Sequence, residues 1–232
     1  MTCKEAYTNS LKDLHENTYD NLSAQEILEF AIETYKNKIT LVSSFGVDSA
    51  ILLHLTSLID KNLPVIFVDT EMHFAETHQY LDQLVSDFNL TNVQSIRAPS
   101  EELQVADPWG DLHARDADLC CNLRKTLPLQ NALKGYSAWI SGRKRFQTKN
   151  RLTMQVFEND QYNRTKINPL AYWTAHDVKH YFAVHHLPRH PLWQDGYKSI
   201  GCAPCTKKTL HASEARSGRW AGCNKTECGI HL

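Results

Sequence analysis

Residues 39–55 constrain the fold more than any other stretch. Ile39-Thr40-Leu41-Val42 is a short apolar run rich in branched side chains, and Ser43-Ser44-Phe45-Gly46-Val47-Asp48-Ser49 breaks it with small and polar residues. Ala50-Ile51-Leu52-Leu53-His54-Leu55 then resumes with helical spacing. The pattern reads as buried strand, tight loop and helix. The loop suits an anion: Gly46 lets the backbone approach a ligand closely, Ser43, Ser44 and free amides can donate, and a helix N-terminus near Asp48-Ser49 favours negative charge. An ordinary strand-to-helix turn capped by Asp48 or Ser49 satisfies the same pattern. The Gly-Lys-Ser/Thr ending of a P-loop and the Gly-x-Gly-x-x-Gly of a dinucleotide fold are both absent.

The rest of the chain repeats this alternation. Ser23-Ala24-Gln25-Glu26 is a capping box, with Ile27, Phe30, Ala31 and Ile32 on one face of a helix ending near Lys36. Pro64 to Thr70 reads as a second buried strand, Glu76 to Phe88 as a helix, Asn92 to Arg97 as a third strand and Ala138 to Gly142 as a fourth. Thr174 to Asp177 caps a helix that stops near His185, and the prolines of Leu187 to Leu192 make that segment an extended connection. Residues 1–22 form a partly helical lead-in. Strand alternating with helix predicts an α/β fold, mainly a parallel twisted sheet with helices on both faces and ligands at the carboxyl ends of the strands. By that rule Asp69-Thr70 belongs beside the Ser43 to Asp48 loop. The five cations of Arg143-Lys144-Arg145-Phe146-Gln147-Thr148-Lys149-Asn150-Arg151, following the fourth strand, belong there as an anion-closing loop.

A chain of 232 residues, 42% hydrophobic, can bury a full core as one domain, residues 1–217, with 218–232 as a mobile polar C-terminal tail. Lys and Arg total 25 against 26 Asp and Glu, so bulk charge gives no support to a nucleic-acid or anionic-membrane partner, and any anion site must be local. No run approaches the roughly 18 apolar residues that span a bilayer, and Met1 to Tyr7 has no signal core; a soluble, cytoplasmic protein is the expectation. Nothing in the sequence fixes the oligomeric state, and a homo-oligomer stays open.

Seven cysteines in a chain of this size point to metal, cluster or thiol chemistry more than to disulfide staples. Cys120-Cys121 and Cys202-Ala203-Pro204-Cys205 together supply four thiolates, enough for tetrahedral zinc or a cubane cluster. A vicinal pair suits zinc less well and favours iron and sulfur. A buried adjacent pair and a redox Cys-x-x-Cys are the rival readings. A c-type haem is excluded because Thr206, not His, follows Cys205. Cys228 stands apart on the polar tail, where His231, Arg216 and Arg219 could favour its thiolate; an incidental tail thiol fits the same spacing. Cys3 and Cys223 fit that plainer reading better still.

Four motifs in one order, the Ser43 to Ser49 loop, Cys-Cys-x-x-Arg-Lys at 120–125, Gly-Cys-x-x-Cys at 201–205 and Glu-Cys-Gly-Ile-His at 227–231, closely resemble the assimilatory adenylylsulfate and phosphoadenylylsulfate (APS and PAPS) reductase family. The resemblance implies a PP-loop, Rossmann-like adenine-nucleotide fold and a 4Fe-4S cluster on Cys120, Cys121, Cys202 and Cys205. Because the cluster-bearing members mostly use APS, it also implies thioredoxin-dependent reduction of APS to sulfite and AMP through a thiosulfonate on Cys228. Lys125, Arg216, Arg219 and His231 become the catalytic candidates beside it. Ser43, Ser44, Gly46, Asp69, Gly142, Arg143, Arg145 and Arg151 become substrate contacts. The family's second loop commonly reads Asp-Thr-Gly, whereas Glu71 follows Asp69-Thr70 here, adding negative charge near an anionic ligand. PAPS or dual specificity, an ATP-using tRNA-thiolating enzyme of the same fold, and a nucleotide or redox sensor without turnover are the alternatives.

Overall fold

The computed structural model describes residues 22–209, 216–220, 225, 227 and 229–231. Cys3, Cys223, Cys228, the His231 side chain and nearly all of the 1–22 lead-in lie outside the described residues. Helix α1 (Ala24–Tyr35) opens on the expected capping box: Ser23 N donates to Glu26 Oε2 at 2.8 Å while Glu26 N donates to Ser23 Oγ at 3.2 Å. Such a cap contributes about 1 kcal/mol. Strand β1 (Ile39–Ser43), helix α2 (Ser49–Ile59), strand β2 (Val65–Val68), helix α3 (Ala75–Asp87) and strand β3 (Val93–Ile96) follow as the sequence pattern anticipates. The short helices α4 (Ser100–Ala106), α5 (Leu112–Arg115), α6 (Ala117–Cys121) and α7 (Leu127–Ala132) lead to β4 (Ala138–Ser141). Strands β5 (Phe157–Asn159) and β6 (Thr165–Ile167) and helix α8 (Ala175–Val184), capped by Thr174, complete the domain.

The six strands form one sheet in the order β3-β2-β1-β4-β6-β5, parallel throughout except for β5 at one edge. Side-chain alternation divides the core in two. Ile39 and Leu41, Val65 and Phe67, and Ala138 and Ile140 face the buried residues of α1, α2, α3 and α8. Ile66, Val68 and Trp139 face Leu129 and Leu133 on the other side. The sheet is therefore covered on both faces. The chain leaves β1 toward β2 and β3, then crosses back to place β4 on the opposite flank of β1. The carboxyl ends of β1 and β4 thus bound the crevice in which open sheets of this kind bind ligands.

Two details differ from the sequence expectation. The β5–β6 hairpin was not anticipated: each strand has three residues, too few to show a period, and Asp160 organises the turn by accepting from the amides of Tyr162 and Arg164. The 187–192 connection is not wholly extended. Pro191 opens a 3-10 turn, Pro191–Trp193, and fully buried His190 accepts the Leu192 amide on Nδ1 at 3.3 Å. Within residues 218–232, Gly218, Arg219 and Trp220 are buried and Glu227 is held in ion pairs. Among the described residues no helix is long and apolar enough to cross a membrane.

Candidate active site

A cavity of about 200 Å³ opens at the carboxyl ends of β1 and β4. The β1–α2 loop supplies Ser43, Ser44 and Gly46 to its wall. The left-handed residue of the loop is Phe45 (φ +46°), not Gly46. Its ring is fully buried edge-on against Phe67 at 5.5 Å, and this packing holds a conformation that is unfavourable for a residue with a Cβ. A Cβ on Gly46 would stand in ordinary contact with Ser44 Oγ at 3.4 Å and the Ile200 carbonyl at 3.5 Å. Asp48 does not cap α2; its carboxylate pairs with Lys144 Nζ at 3.2 Å.

Among the described residues six cations, Lys125, Arg143, Lys144, Arg151, Arg216 and Arg219, line the cavity against two carboxylates, Asp48 and Glu227. Buried Arg143 is aimed by Glu158 at 2.5 Å and Asn168 Oδ1 at 3.2 Å. No carboxylate of the described residues pairs with Arg219, whose guanidinium stacks over Trp220 at 4.4 Å and whose Nε is buried without an acceptor. Gly201 makes room for it, since a Cβ at that position would run into the guanidinium. Lys144, a member of the cation run outside the expected contact set, is 1% exposed and also donates to the Gly142 carbonyl at 3.2 Å.

Two of the anticipated contacts lie elsewhere. Arg145 turns away, donating to the Met154 carbonyl at 2.7 Å and stacking over Tyr172. Asp69 is absent from the cavity wall and is paired with Arg97 at 2.7 Å. Burial pushes its carboxyl up, but the Glu71 amide and Arg97 hold it below the usual carboxylate range. Glu71 itself adopts φ +59°, the conformation glycine takes most easily, and stands 3.9 Å from both Arg97 and Arg124. From the same loop, His73 reaches the cavity and bonds the Val68 carbonyl at 3.1 Å; burial pushes its imidazole down to about 4.

Behind this cavity, Cys120 and Cys121 on α6 and Cys202 and Cys205 on a 3-10 turn line one small pocket. A single bridge between His73 and Cys202, and the Ala203 amide bonded to the Met72 carbonyl at 2.7 Å, hold the second pair against the loop after β2. Burial and the neighbouring Cys121 and Cys202 push the Cys120 thiol up to about 11, and burial and Cys202 raise Cys205. Burial would raise Cys202 as well, but Lys125, the Thr70 hydroxyl at 3.2 Å and Arg219 carry it below its ordinary value. Among the described residues no three Cys, His, Asp or Glu side chains converge on a single ion. A cubane takes one thiolate per iron, so its donors stand apart around a wall, and four cysteines facing one pocket are a donor set of that kind. Lys125 lines both the cysteine pocket and the cationic cavity, and hydrogen-bonds to Cys202.

The family model for the phosphoadenosine phosphosulfate reductase domain matches residues 38–208, well over half of the chain. The chain belongs to this reductase family. An adenosine 5'-phosphosulfate reductase from Chelativorans sp. (strain BNC1) is 49% identical over 216 residues, covering 92% of this chain and 88% of the relative. The crystal structure of a phosphoadenylyl-sulfate (PAPS) reductase from Candida auris, in complex with phosphate, superposes with a TM-score of 0.71 at 30% identity, covering 83% of this chain and 94% of the other. An FMN adenylyltransferase from Candida glabrata shares the fold alone, at 15% identity and a TM-score of 0.58, with 82% of this chain and 68% of the other covered. The reductase-family match spans all six strands and both cysteine pairs.

Proposed function

We propose that this protein is a cytoplasmic enzyme that reduces adenylylsulfate to sulfite and AMP, with thioredoxin as electron donor and Cys228 as nucleophile. The observation that carries the reading is Lys125, one ammonium shared by a cation-lined cavity at the sheet's switch point and a pocket of four cysteines. Relatives 36–50% identical over most of the chain bear the name adenosine 5'-phosphosulfate reductase, which favours APS.

In this reading the nucleotide lies against Ser43, Ser44, Gly46 and Gly142, with its acidic end toward Arg143, Arg151, Arg216 and Arg219. Arg145 and Asp69 drop out of the contact set, and residues 218–232 act as the catalytic tail. The Cys228 thiolate attacks the sulfur; the sulfur–oxygen bond to the phosphate breaks, AMP leaves, and the sulfonate remains on Sγ. A thioredoxin thiolate then attacks Cys228 Sγ, sulfite departs, and the second thioredoxin thiol closes a disulfide, so the dithiol supplies both electrons. Lys125, Arg216 and Arg219 stabilise negative charge developing on the leaving phosphate, and His231 favours the thiolate. Cys120, Cys121, Cys202 and Cys205 would hold a 4Fe-4S cluster; when bound, it would tie α6 to the 201–206 segment and set the electrostatic surroundings of Lys125.

The deciding experiment is sulfite release by anaerobically purified protein given APS or PAPS with reduced thioredoxin, beside Cys228→Ser. Sulfite from APS, abolished in the variant, is the expected result; PAPS as the faster substrate would transfer the reading to the 3'-phosphorylated nucleotide. No sulfite from either, with folded protein, would overturn it.

A further inference from the structure

Asp48 stands where its charge should hinder. Its carboxylate lies on the wall of a cavity that otherwise collects cations, at the N-terminus of α2, where an anion is favoured. Aspartate commonly caps a helix from that position, yet the Asp48 side chain makes no hydrogen bond to the first turn of α2 and turns to Lys144 Nζ at 3.2 Å. The Lys144 ammonium donates a second time to the Gly142 carbonyl, just past the end of β4, at 3.2 Å. Lys144 is 1% exposed and the Asp48 side chain 24%, so a ligand in the cavity meets little of the ammonium and more of the carboxylate. Arg189 feels the same carboxylate, but its guanidinium is stacked over Phe182 at 3.5 Å and makes no ion pair with it.

An uncompensated carboxylate at that point would oppose an incoming anion twice, by repulsion and by taking the open amides of α2 for itself. Resting on the reductase reading, we propose that Lys144 is a positioning residue that acts through Asp48: it neutralises the carboxylate and draws it off the N-terminus of α2, so that the amides there stay open to the acidic end of the nucleotide. The same ammonium ties the β1–α2 loop to the end of β4, the two edges of the crevice. A residue that touched the nucleotide directly would lose affinity on substitution whatever stood at position 48. Lys144 loses it only while Asp48 keeps its charge.

Calorimetric titration with APS, in a Cys228→Ser background that prevents turnover, tests this as a double-mutant cycle. Lys144→Met should weaken binding at least about tenfold, as one unpaired charge close to an anion in a partly shielded site does. Adding Asp48→Ala to Lys144→Met should bring binding back to within about threefold of the parent. Failure of the second change to restore binding would overturn the proposal, and so would a Lys144→Met variant that binds APS as the parent does. Should Lys144→Met not fold, Asp48→Asn alone decides. It removes the charge and keeps an acceptor for Lys144, so APS should bind at least as tightly as to the parent; weaker binding would overturn the proposal. AMP, titrated beside APS, keeps the two failures apart: a parent that binds AMP but not APS counts against the reductase reading, and the cycle with AMP then decides the role of Lys144. Binding of neither nucleotide by the folded parent would overturn both.

Discussion

Replacing Arg124 by methionine keeps much of the side chain's length and removes its charge. Arg124 Nη2 donates to Asp107 Oδ2 at 2.8 Å and Nη1 to the Thr70 carbonyl at 3.0 Å, with the two side chains 8% and 0% exposed. Without it, the Asp107 carboxylate keeps the Leu112 amide at 2.9 Å and half-exposed Arg115 at 3.9 Å. Removing one member of a buried pair costs about 3–5 kcal/mol, because the remaining charge is desolvated and uncompensated. The surviving partners place this case near the lower end, about 3 kcal/mol, a large share of the roughly 5–15 kcal/mol by which domains are stable.

The pH dependence gives the cause a signature. Burial pushes the Asp107 carboxyl up, but Arg124 and the Leu112 amide hold it below the ordinary range, so its stabilisation is complete above the unfolded value of about 3.9 and is lost as pH falls through the folded one. In Arg124→Met burial is left to dominate and the carboxyl rises. The variant should then lose part of its deficit on acidification from pH 7 toward 5. Urea unfolding at both pH values, with Asp107→Asn added to the variant, checks this. A deficit under about 1 kcal/mol at pH 7, or no rescue by Asp107→Asn, would refute the reasoning.

Burial holds His73 and His190 down to about 4, while each returns to about 6.5 on unfolding. The unfolded chain therefore binds more protons between those values. Stability should be full above about pH 6.5 and fall toward pH 4, by up to about 1.4 kcal/mol per pH unit per histidine; His190→Gln should remove one histidine's share of the slope in urea titrations from pH 7 to 5. Glu71 sits at φ +59° with only long, partly exposed ion pairs. Glu71→Gly should raise the unfolding free energy by up to about 1 kcal/mol and Glu71→Val should lower it; a loss of more than about 1 kcal/mol in the Gly variant would show that those pairs outweigh backbone strain.

The alternation of strand and helix was legible because buried parallel strands read as continuous apolar runs, as Ile39–Val42 and Val65–Val68 do. Strand order was not legible. The strand-end rule assigned Asp69 to the site through β2, and Val68, which ends that strand, does line the cavity, but the next side chain is turned to Arg97, a partner 28 residues away that no local signal reveals. Of the three arginines singled out in the cation run, Arg143 and Arg151 line the cavity and Arg145 does not. The run folds as two 3-10 turns, Arg145–Gln147 and Lys149–Arg151; Lys144, just before the first, and Arg151, ending the second, reach the cavity, while Arg145 turns outward. Glu227 was visible only as part of a tail motif, since its partners Arg151 and Thr148 lie 76 and 79 residues away.

The Cys-Cys-x-x-Arg-Lys element, by contrast, carries its geometry in its spacing. Cys120 with Arg124, and Cys121 with Lys125, are each four residues apart, the separation that puts side chains on one face of a helix. The backbone from Asn122 to Thr126 takes a wider π turn, which keeps both cations beside the thiols while directing them differently: Arg124 goes to Asp107 and Thr70, Lys125 to Cys202 and the cavity. Arg219 reaches the same wall from the other side, bridged through its backbone to Thr206 and packed over Gly201. Two cations from distant parts of the chain therefore stand between the thiols and the anion cavity, and each acts on Cys202. Any change in charge among the four cysteines must alter the field felt in the cavity through Lys125 and Arg219, whether or not electrons ever pass between them.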